Sequence, residues 1–370
     1  MHHYKNEHPE NDPAYKGLSV NQGVEKAPVV NPYRQQKIKR VQYTADQFVA
    51  GILEGNITML SQAVTLVESS LPEHQLIAQE VIVKCLPYAG KSIRLGITGV
   101  PGAGKSTFIE ALGMSLIRSG HKLAVLAIDP SSERSKGSIL GDKTRMEELS
   151  VAKNAFIRPS PSSGSLGGVA RKTRESIVLC EAAGFDTIFV ETVGVGQSET
   201  SVHSMVDFFL LLQIAGAGDE LQGIKRGIME MADGIAINKC DGTNVDKAMV
   251  AKAQYQNALH LFPPHDSGWS PEAMTCSSVE NTGIGDLWEM VERYITFTRA
   301  NQYFLSKRNT QSKYWMYETI NEQLKANFYS NTKIQDLLIE SEKKVLSNEL
   351  SSFIAANDLL DTYYEGIGQE

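Results

Sequence analysis

The chain has 370 residues, of which 42% are hydrophobic and 21% are charged. That composition is ordinary for a globular protein and argues against collagen, low-complexity disorder and coiled-coil rods. The net charge of −7 provides no positive field for nonspecific nucleic-acid binding, so nucleic acid is not expected as a partner. The four cysteines are widely spaced and lack a C-x-x-C motif, which indicates neither a disulfide framework nor a zinc site. A reducing cytoplasm is the expected compartment.

The first part of the chain carries no recognisable chemistry. Residues 1–42 are polar and without periodicity, which predicts a disordered leader that lacks the apolar core of a secretory signal. Residues 43–91 place apolar side chains at helical spacing and predict two or three short helices. The most apolar stretch, residues 205–215, is too short to span a bilayer and predicts a buried strand, so no membrane association is expected.

The central part of the chain alternates short apolar runs with helical segments. This pattern over residues 92–296 predicts an α/β fold with a mostly parallel sheet. The predicted strands cover residues 93–98, 123–128, 187–190, 208–212, 234–237 and 273–276. Because parallel sheets bind ligands at the carboxyl ends of their strands, function is expected there. Residues 297–370 predict further helices, whose apolar stripes pack either on the sheet domain or on a second chain.

The strongest motif follows the first predicted strand and opens a helix. It fits G-x-x-x-x-G-K-[ST] and consists of Gly99, Val100, Pro101, Gly102, Ala103, Gly104, Lys105, Ser106 and Thr107. The glycines allow successive backbone N–H groups and the helix amino terminus to surround a polyphosphate. Lys105 can then reach the outer phosphates, and Ser106 can ligate Mg²⁺. The alternative is a structural glycine-rich turn, but the pattern rarely arises by chance, and more rarely still between a strand and a helix.

A second motif, N-K-C-D, follows the strand predicted at residues 234–237. Asp241 can accept both N–H bonds from a guanine edge, with Asn238 and Lys239 packed around it. Adenine lacks that donor pair, so GTP is favoured over ATP. Ser277, Ser278 and Val279 follow the strand predicted at 273–276 and either complete the base pocket through backbone N–H groups or form an ordinary loop.

Carboxylates near strand ends are candidate Mg²⁺ ligands beside Ser106. Asp129 and Glu191 directly follow predicted strands, and Asp142 lies in a loop; each alternatively caps a helix or is solvated. Two loops rich in glycine and charge, residues 130–143 and 215–225, are either switch segments ordered by a γ-phosphate or plain surface loops.

In this order the motifs GVPGAGKST, AIDPSS, GDKTRM, ETVGVGQSE, AGAGDELQGIK and NKCD resemble the MeaB/ArgK-type P-loop GTPases over residues 48–295. The resemblance implies that residues 99–107 bind phosphates and that residues 238–241 and 277–279 bind guanine. It implies that Mg²⁺ is held by Ser106, Asp129, Asp142 and Glu191. Lys105, Asp142, Glu191 and Lys225 are implied to be catalytic, with Lys225 at the polar end of an additional switch.

The same resemblance implies a partner and an assembly. Members of this family act as chaperones of cobalamin-dependent methylmalonyl-CoA mutase, where GTP hydrolysis gates cofactor delivery and protects or reactivates the mutase. They are homodimers joined partly through carboxyl-terminal helices. Residues 1–42, 43–91, 92–296 and 297–370 would then be the leader, the amino-terminal helices, the GTPase domain and a dimerisation extension.

Two rival functions remain at this point. One is an ATPase or kinase that energises periplasmic lysine, arginine and ornithine uptake, against which N-K-C-D argues. The other is a nickel-insertion GTPase, which would need a ligand cluster, whereas His2, His3 and His8 stand alone in the leader. Gly194, which ends the E-T-V-G that replaces the usual D-x-x-G, is not directly followed by glutamine; Gln197 comes three residues later. Slow intrinsic hydrolysis, stimulated by a partner, is therefore our hypothesis.

Overall fold

The structure, a computed structural model, describes residues 43–128, 146–160, 166–192, 198–216 and 226–367. Its strands are β1 (Ile93–Gly99), β2 (Leu123–Ile128), β3 (Ala155–Ser160), β4 (Thr187–Thr192), β5 (Phe208–Ile214), β6 (Gly234–Asn238) and β7 (Glu272–Thr275). Its helices are α1 (Ala45–Leu53), α2 (Ile57–Glu68), α3 (Pro72–Cys85), α4 (Lys105–Arg118), α5 (Glu147–Val151), α6 (Leu166–Ala182), α7 (Ser198–His203), α8 (Arg226–Met231), α9 (Val245–Leu259), α10 (Ile284–Ala300), α11 (Tyr303–Ser330), α12 (Thr332–Leu346) and α13 (Ser352–Ile367).

The seven strands form one parallel sheet in the order β3-β2-β4-β1-β5-β6-β7. The predicted fold class, an α/β protein with a mostly parallel sheet and helices before and after it, is confirmed. Strand β1 lies at the centre between β4 and β5, so the chain order reverses around it. Such a reversal opens a crevice at the carboxyl ends of the strands, where parallel sheets bind their ligands.

One strand was absent from the sequence prediction. Strand β3 is the edge strand beside β2, and it contains Arg158 and Pro159. A proline is tolerated at an edge, where its missing N–H removes no ladder bond. Arg158 forms an ion pair with Glu68 on α2. The edge position therefore explains why β3 lacks the apolar run that marked the other strands.

Helices cover both faces of the sheet and bury its central strands. On one face, helices of the amino-terminal segment and α6 pack over Ile188, Val190 and Phe209. On the other, α4 and α10 pack over Leu95 and Phe189. Strand positions buried on both faces are typical of parallel sheets and account for the continuous apolar runs.

The amino-terminal helices begin at local signals in the sequence. Thr44 caps α1 in a capping box with Gln47, and the side chain of Asn56 accepts hydrogen bonds at the start of α2. Pro72 is the first residue of α3, where its fixed φ suits a helix start. These three helices contribute Ile52, Leu60 and other apolar side chains to the core on the first face.

Helix α11 is held to the amino-terminal edge of the sheet by a mostly buried arginine. The Arg308 guanidinium donates to both carboxylate oxygens of Asp207, each at 2.7 Å, and to the carbonyl oxygens of Gly90 (2.6 Å) and Ser92 (2.7 Å). The Asp207 carboxylate also accepts the backbone N–H of Arg94, at 2.8 Å. These contacts join α11 to the residues that directly precede β1 and β5.

Helices α12 and α13 bury little of their apolar surface. Ile334, Ala355 and Leu359 are their buried apolar residues, whereas Leu346 and Phe353 are 83% and 81% exposed. Among the described residues, no helix combines the length and the apolar character that crossing a lipid bilayer requires.

Candidate functional site

The G-x-x-x-x-G-K-[ST] segment lies at the carboxyl end of β1 and leads into α4. Gly99 pairs with Leu212 of β5, and a Cβ at position 99 would overlap the Leu212 carbonyl oxygen. Gly104 caps α4 with φ +84°, in the left-handed region that favours glycine, and it supplies no side chain to the first-turn N–H groups. The sequence therefore builds a close backbone turn whose N–H groups suit an anion.

Lys105 is held across this turn. Its Nζ donates to the carbonyl oxygen of Gly99 at 3.0 Å. Burial lowers the pKa of the Lys105 ammonium below its usual value, and the carboxylates of Glu191 and Glu199 oppose that effect. The cation therefore lies at the mouth of the turn, where the outer phosphates of a bound nucleotide would be.

Asn238, at the end of β6, ties the phosphate turn to the second motif. Its Nδ2 donates to the carbonyl oxygen of Ala103 at 2.8 Å. Its Oδ1 accepts from the Ser278 backbone N–H (3.2 Å) and hydroxyl (2.9 Å). It also accepts from the Cys276 thiol at 3.5 Å, which stays protonated because burial raises its pKa to about 12. Asn238 is 1% exposed. Because its carboxamide bonds to the loops that follow β1 and β7, it holds them against its own loop after β6.

Asp241 and the segment after β7 face each other. The hydroxyl of Ser277 donates to Oδ2 of Asp241 at 2.5 Å and is fully buried. The backbone N–H of Ser277 donates to the Thr282 carbonyl oxygen at 2.9 Å. Val279 is 81% exposed. Two of the three predicted backbone donors, those of Ser277 and Ser278, are thus engaged within the protein, while the Asp241 carboxylate is oriented by Ser277.

Lys239 extends over the phosphate turn. Its backbone is left-handed, with φ 59°, and its Cε lies 3.9 Å from where a Cβ of Gly104 would be. The aliphatic stem of Lys239 thereby covers Gly104, which leaves the two motifs in one continuous site.

Glu191 occupies the carboxyl end of β4, the strand next to β1. It is 3% exposed and lies in register with Ile97. One residue further, the hydroxyls of Thr98 and Thr192 are 2.9 Å apart and join the two strand ends. The Glu191 carboxylate and the half-buried Ser106 hydroxyl are hard oxygen donors, which are the ligands Mg²⁺ prefers. The residues present therefore fit a magnesium ion.

Within the described ranges, no group of three or more histidine, cysteine, aspartate or glutamate side chains could hold a metal alone. The predicted residues Asp129, Asp142 and Lys225 lie outside the described residues, as do Gly194, Gln197 and most of the two proposed switch loops.

Sequence reasoning missed four residues of the site. Cys276 and the pair Thr98–Thr192 act through side-chain contacts between neighbouring strand ends, which no local motif reveals. Glu199 belongs to the motif ETVGVGQSE and was given no role, although its negative charge opposes the lowering of the Lys105 pKa by burial. Its place within that motif was the one available signal.

A parallel sheet with a phosphate turn after its central strand, and an N-K-x-D motif tied to that turn, defines a P-loop GTPase. The predicted enzyme class, a GTP hydrolase, is confirmed by similar proteins that are named GTPases. A model of the family described as methylmalonyl Co-A mutase-associated GTPase MeaB matches residues 60–333. The chain belongs to the MeaB family, as the sequence motifs predicted.

Relatives with curated names extend this result. The chain is similar to GTPase ArgK of Escherichia coli, with 47% identity over 308 residues, 83% of this chain and 93% of that protein. It is also similar to the mitochondrial methylmalonic aciduria type A homolog of Mus musculus, with 45% identity over 328 residues, 86% of this chain and 79% of that protein. A crystal structure titled LAO/AO transport system kinase has a TM-score of 0.69 and 39% identity, covering 86% of this chain and 97% of that one.

Proposed function

We propose that this GTPase hydrolyses the β–γ bond of GTP with Mg²⁺ and acts as a chaperone of cobalamin-dependent methylmalonyl-CoA mutase. In that role it gates delivery of the cofactor and protects or reactivates the mutase. The observation that carries the proposal is the match of residues 60–333 to a family described by its association with that mutase. The name of the mouse relative, which refers to methylmalonic aciduria, supports the same partner.

The proposed chemistry assigns a task to each group of residues. The backbone turn of residues 99–104 and the first-turn N–H groups of α4 bind the phosphates. Lys105 stabilises the charge that develops on the leaving oxygens. Ser106 and Glu191, together with Asp129 and Asp142, would hold Mg²⁺, which neutralises phosphate charge when bound. We infer that Lys225 and its segment communicate with the mutase.

Guanine recognition is proposed to depend on the Asp241 carboxylate. In Asp241→Asn one acceptor oxygen becomes a donor, which would face the guanine N–H groups. We expect the apparent affinity for GTP to fall by about a hundredfold, since a site built to hydrogen-bond a substrate N–H rejects an unmatched partner by at least that factor. Steady-state hydrolysis of GTP, ITP and ATP by both proteins measures this. Equal GTP affinity in the variant would contradict the role of Asp241.

The chaperone role predicts stimulation by the partner. We expect the purified protein to hydrolyse GTP slowly and to hydrolyse it at least about tenfold faster with methylmalonyl-CoA mutase from the same organism, because a partner that orders catalytic groups raises turnover. ATP is run in parallel. Turnover that is indifferent to the mutase would exclude this partner, and equal use of ATP would favour the transport-linked ATPase instead.

We also propose that α12 and α13 pack against a second copy of the chain. Their exposed apolar side chains include Leu346, Phe353 and Ile354, and an isolated helical pair with so little buried surface is marginally stable. A homodimer would cover that surface. A monomeric mass for the full chain in light scattering would contradict it.

A further inference from the structure

Two threonines meet at the point where strands β1 and β4 part. The backbone register that joins these strands ends at Ile97 and Glu191. Beyond that row, β1 continues beside β5 as far as Gly99, and β4 continues beside β2 as far as Thr192. The hydroxyls of Thr98 and Thr192 form a hydrogen bond of 2.9 Å across the opening. The threonine pair therefore lies at the base of the crevice that opens at the carboxyl ends of the strands.

This contact is closed to solvent. Thr98 is 2% exposed and Thr192 is 0% exposed. A buried hydroxyl needs a hydrogen-bond partner, because water cannot replace the one that it loses. Both side chains are β-branched, which restricts rotation about χ1 and gives each hydroxyl a narrow range of positions. The hydrogen bond is therefore a stiff link between the ends of two strands.

On the β1 side, the link leads into the phosphate turn. Thr98 directly precedes Gly99, whose carbonyl oxygen accepts from the Lys105 ammonium at 3.0 Å. Ser106, a proposed Mg²⁺ ligand, is the residue after Lys105. Because that hydrogen bond ties the end of the turn back to its beginning, a shift of Thr98 moves Ser106 with it.

On the β4 side, the link leads to the second proposed ligand in the described part of the chain. Thr192 directly follows Glu191. Mg²⁺ accepts oxygen ligands only at about 2.0–2.1 Å and in nearly ideal octahedral geometry. The separation of Ser106 from Glu191 therefore decides whether both can hold one ion. The hydroxyl bond between Thr98 and Thr192 fixes the strand ends that carry these two ligands.

We propose that Thr98 and Thr192 are positioning residues that hold Ser106 and Glu191 at the separation that Mg²⁺ requires. They act through the strand ends and are not ligands themselves. The inference rests on the proposed Mg²⁺-dependent hydrolysis of GTP. Guanine recognition by Asp241, which follows another strand, is outside their influence.

The test measures Mg²⁺ binding in variants of the threonine pair. Thr192→Val replaces one hydroxyl with a methyl group and leaves the Thr98 hydroxyl without this partner. We expect the Mg²⁺ affinity of the GDP-bound protein to fall about tenfold, the loss typical of removing a group that orients a metal ligand. GDP affinity in the presence of EDTA should be unchanged. Thr192→Ser keeps the hydroxyl and should bind Mg²⁺ as the wild type does. Titration calorimetry with MgCl₂ and with GDP measures these affinities.

A double variant separates positioning from stability. Thr98→Val with Thr192→Val leaves neither hydroxyl of the pair buried without a partner, so its urea midpoint should lie close to that of the wild type. Its Mg²⁺ affinity should stay as low as in Thr192→Val, because the hydrogen bond is still missing. The double variant also covers the case in which Thr192→Val does not fold.

The matched control is Thr298→Val in α10. Thr298 is 0% exposed, and its hydroxyl donates to the Tyr294 carbonyl oxygen of the same helix at 2.8 Å. This variant also removes a buried threonine hydroxyl, but it should bind Mg²⁺ as the wild type does.

Three results would overturn the proposal. One is wild-type Mg²⁺ affinity in folded Thr192→Val, and another is an equal fall in its GDP affinity in EDTA. The third is a double variant that regains Mg²⁺ affinity together with its urea midpoint, which would assign the two hydroxyls to stability alone. Failure of the wild type to bind Mg²⁺ when GDP is bound would instead overturn the magnesium site of the proposed function, and this pairing with it.

Discussion

Replacing Lys105 with alanine is expected to lower the rate of GTP hydrolysis by about a thousandfold, the upper range for loss of one hydrogen-bond donor to the transition state. The ammonium is oriented by the Gly99 carbonyl oxygen at 3.0 Å and points into the turn that would hold the phosphates. No other lysine of the described site combines this orientation with a place on the first turn of α4. Single-turnover hydrolysis with saturating GTP measures the chemical step directly.

A suitable control is Lys153→Ala, which removes an exposed lysine from the turn before β3. Its hydrolysis rate should equal that of the wild type. Thermal melting of Lys105→Ala should show a folded protein, because removal of a partly buried ammonium relieves a desolvation cost. A Lys105→Ala protein that hydrolyses GTP within threefold of the wild type would be incompatible with the assigned role of this lysine.

Replacing Arg308 with alanine is expected to destabilise the protein by about 3–5 kcal/mol, the cost of leaving a buried carboxylate without its partner. The Asp207 side chain is 2% exposed and the Arg308 side chain 11% exposed. The variant loses the ion pair with Asp207. It also loses the hydrogen bonds that the guanidinium donates to the carbonyl oxygens of Gly90 and Ser92. Urea unfolding followed by circular dichroism measures the shift in midpoint.

Two further variants distinguish the effect of breaking the Arg308–Asp207 ion pair from the effect of losing a positive charge anywhere on the protein. Arg118→Ala removes an arginine that is 64% exposed and 3.8 Å from Glu148, and it should change the free energy of unfolding by less than about 1 kcal/mol. The double variant Arg308→Met with Asp207→Asn removes both charges and should recover part of the loss. An unchanged midpoint in Arg308→Ala would show that this contact does not hold α11 on the sheet.

The sequence was sufficient to predict the sheet and the two nucleotide motifs because each is a local pattern. Residues 99–107 and 238–241 carry their chemistry within a few positions, and apolar runs mark six of the seven strands. Strand β3 could not be recognised, since an edge strand with Arg158 and Pro159 needs no continuous apolar run.

Contacts between distant positions could not be predicted in this way. Arg308 meets Ser92 across 216 positions, and Asn238 meets Ala103 across 135. Nothing near Arg308 in the sequence distinguishes it from the exposed arginines of other helices. The motif placed Asn238 beside the guanine, and it gave no sign that the Asn238 carboxamide also bonds to the phosphate turn and to Ser278. Such roles depend on tertiary packing.

The hydrogen bond from Lys105 to the Gly99 carbonyl oxygen also affects the conformational entropy lost when a nucleotide binds. A lysine that loses its rotamer freedom costs roughly 1.5–2 kcal/mol. Here that loss accompanies folding, because the ammonium is already tethered to a backbone carbonyl within its own turn. An arriving phosphate therefore meets a preorganised cation and avoids a penalty that corresponds to about tenfold in affinity. Rapid capture of nucleotide with little rearrangement of this side chain is the expected consequence.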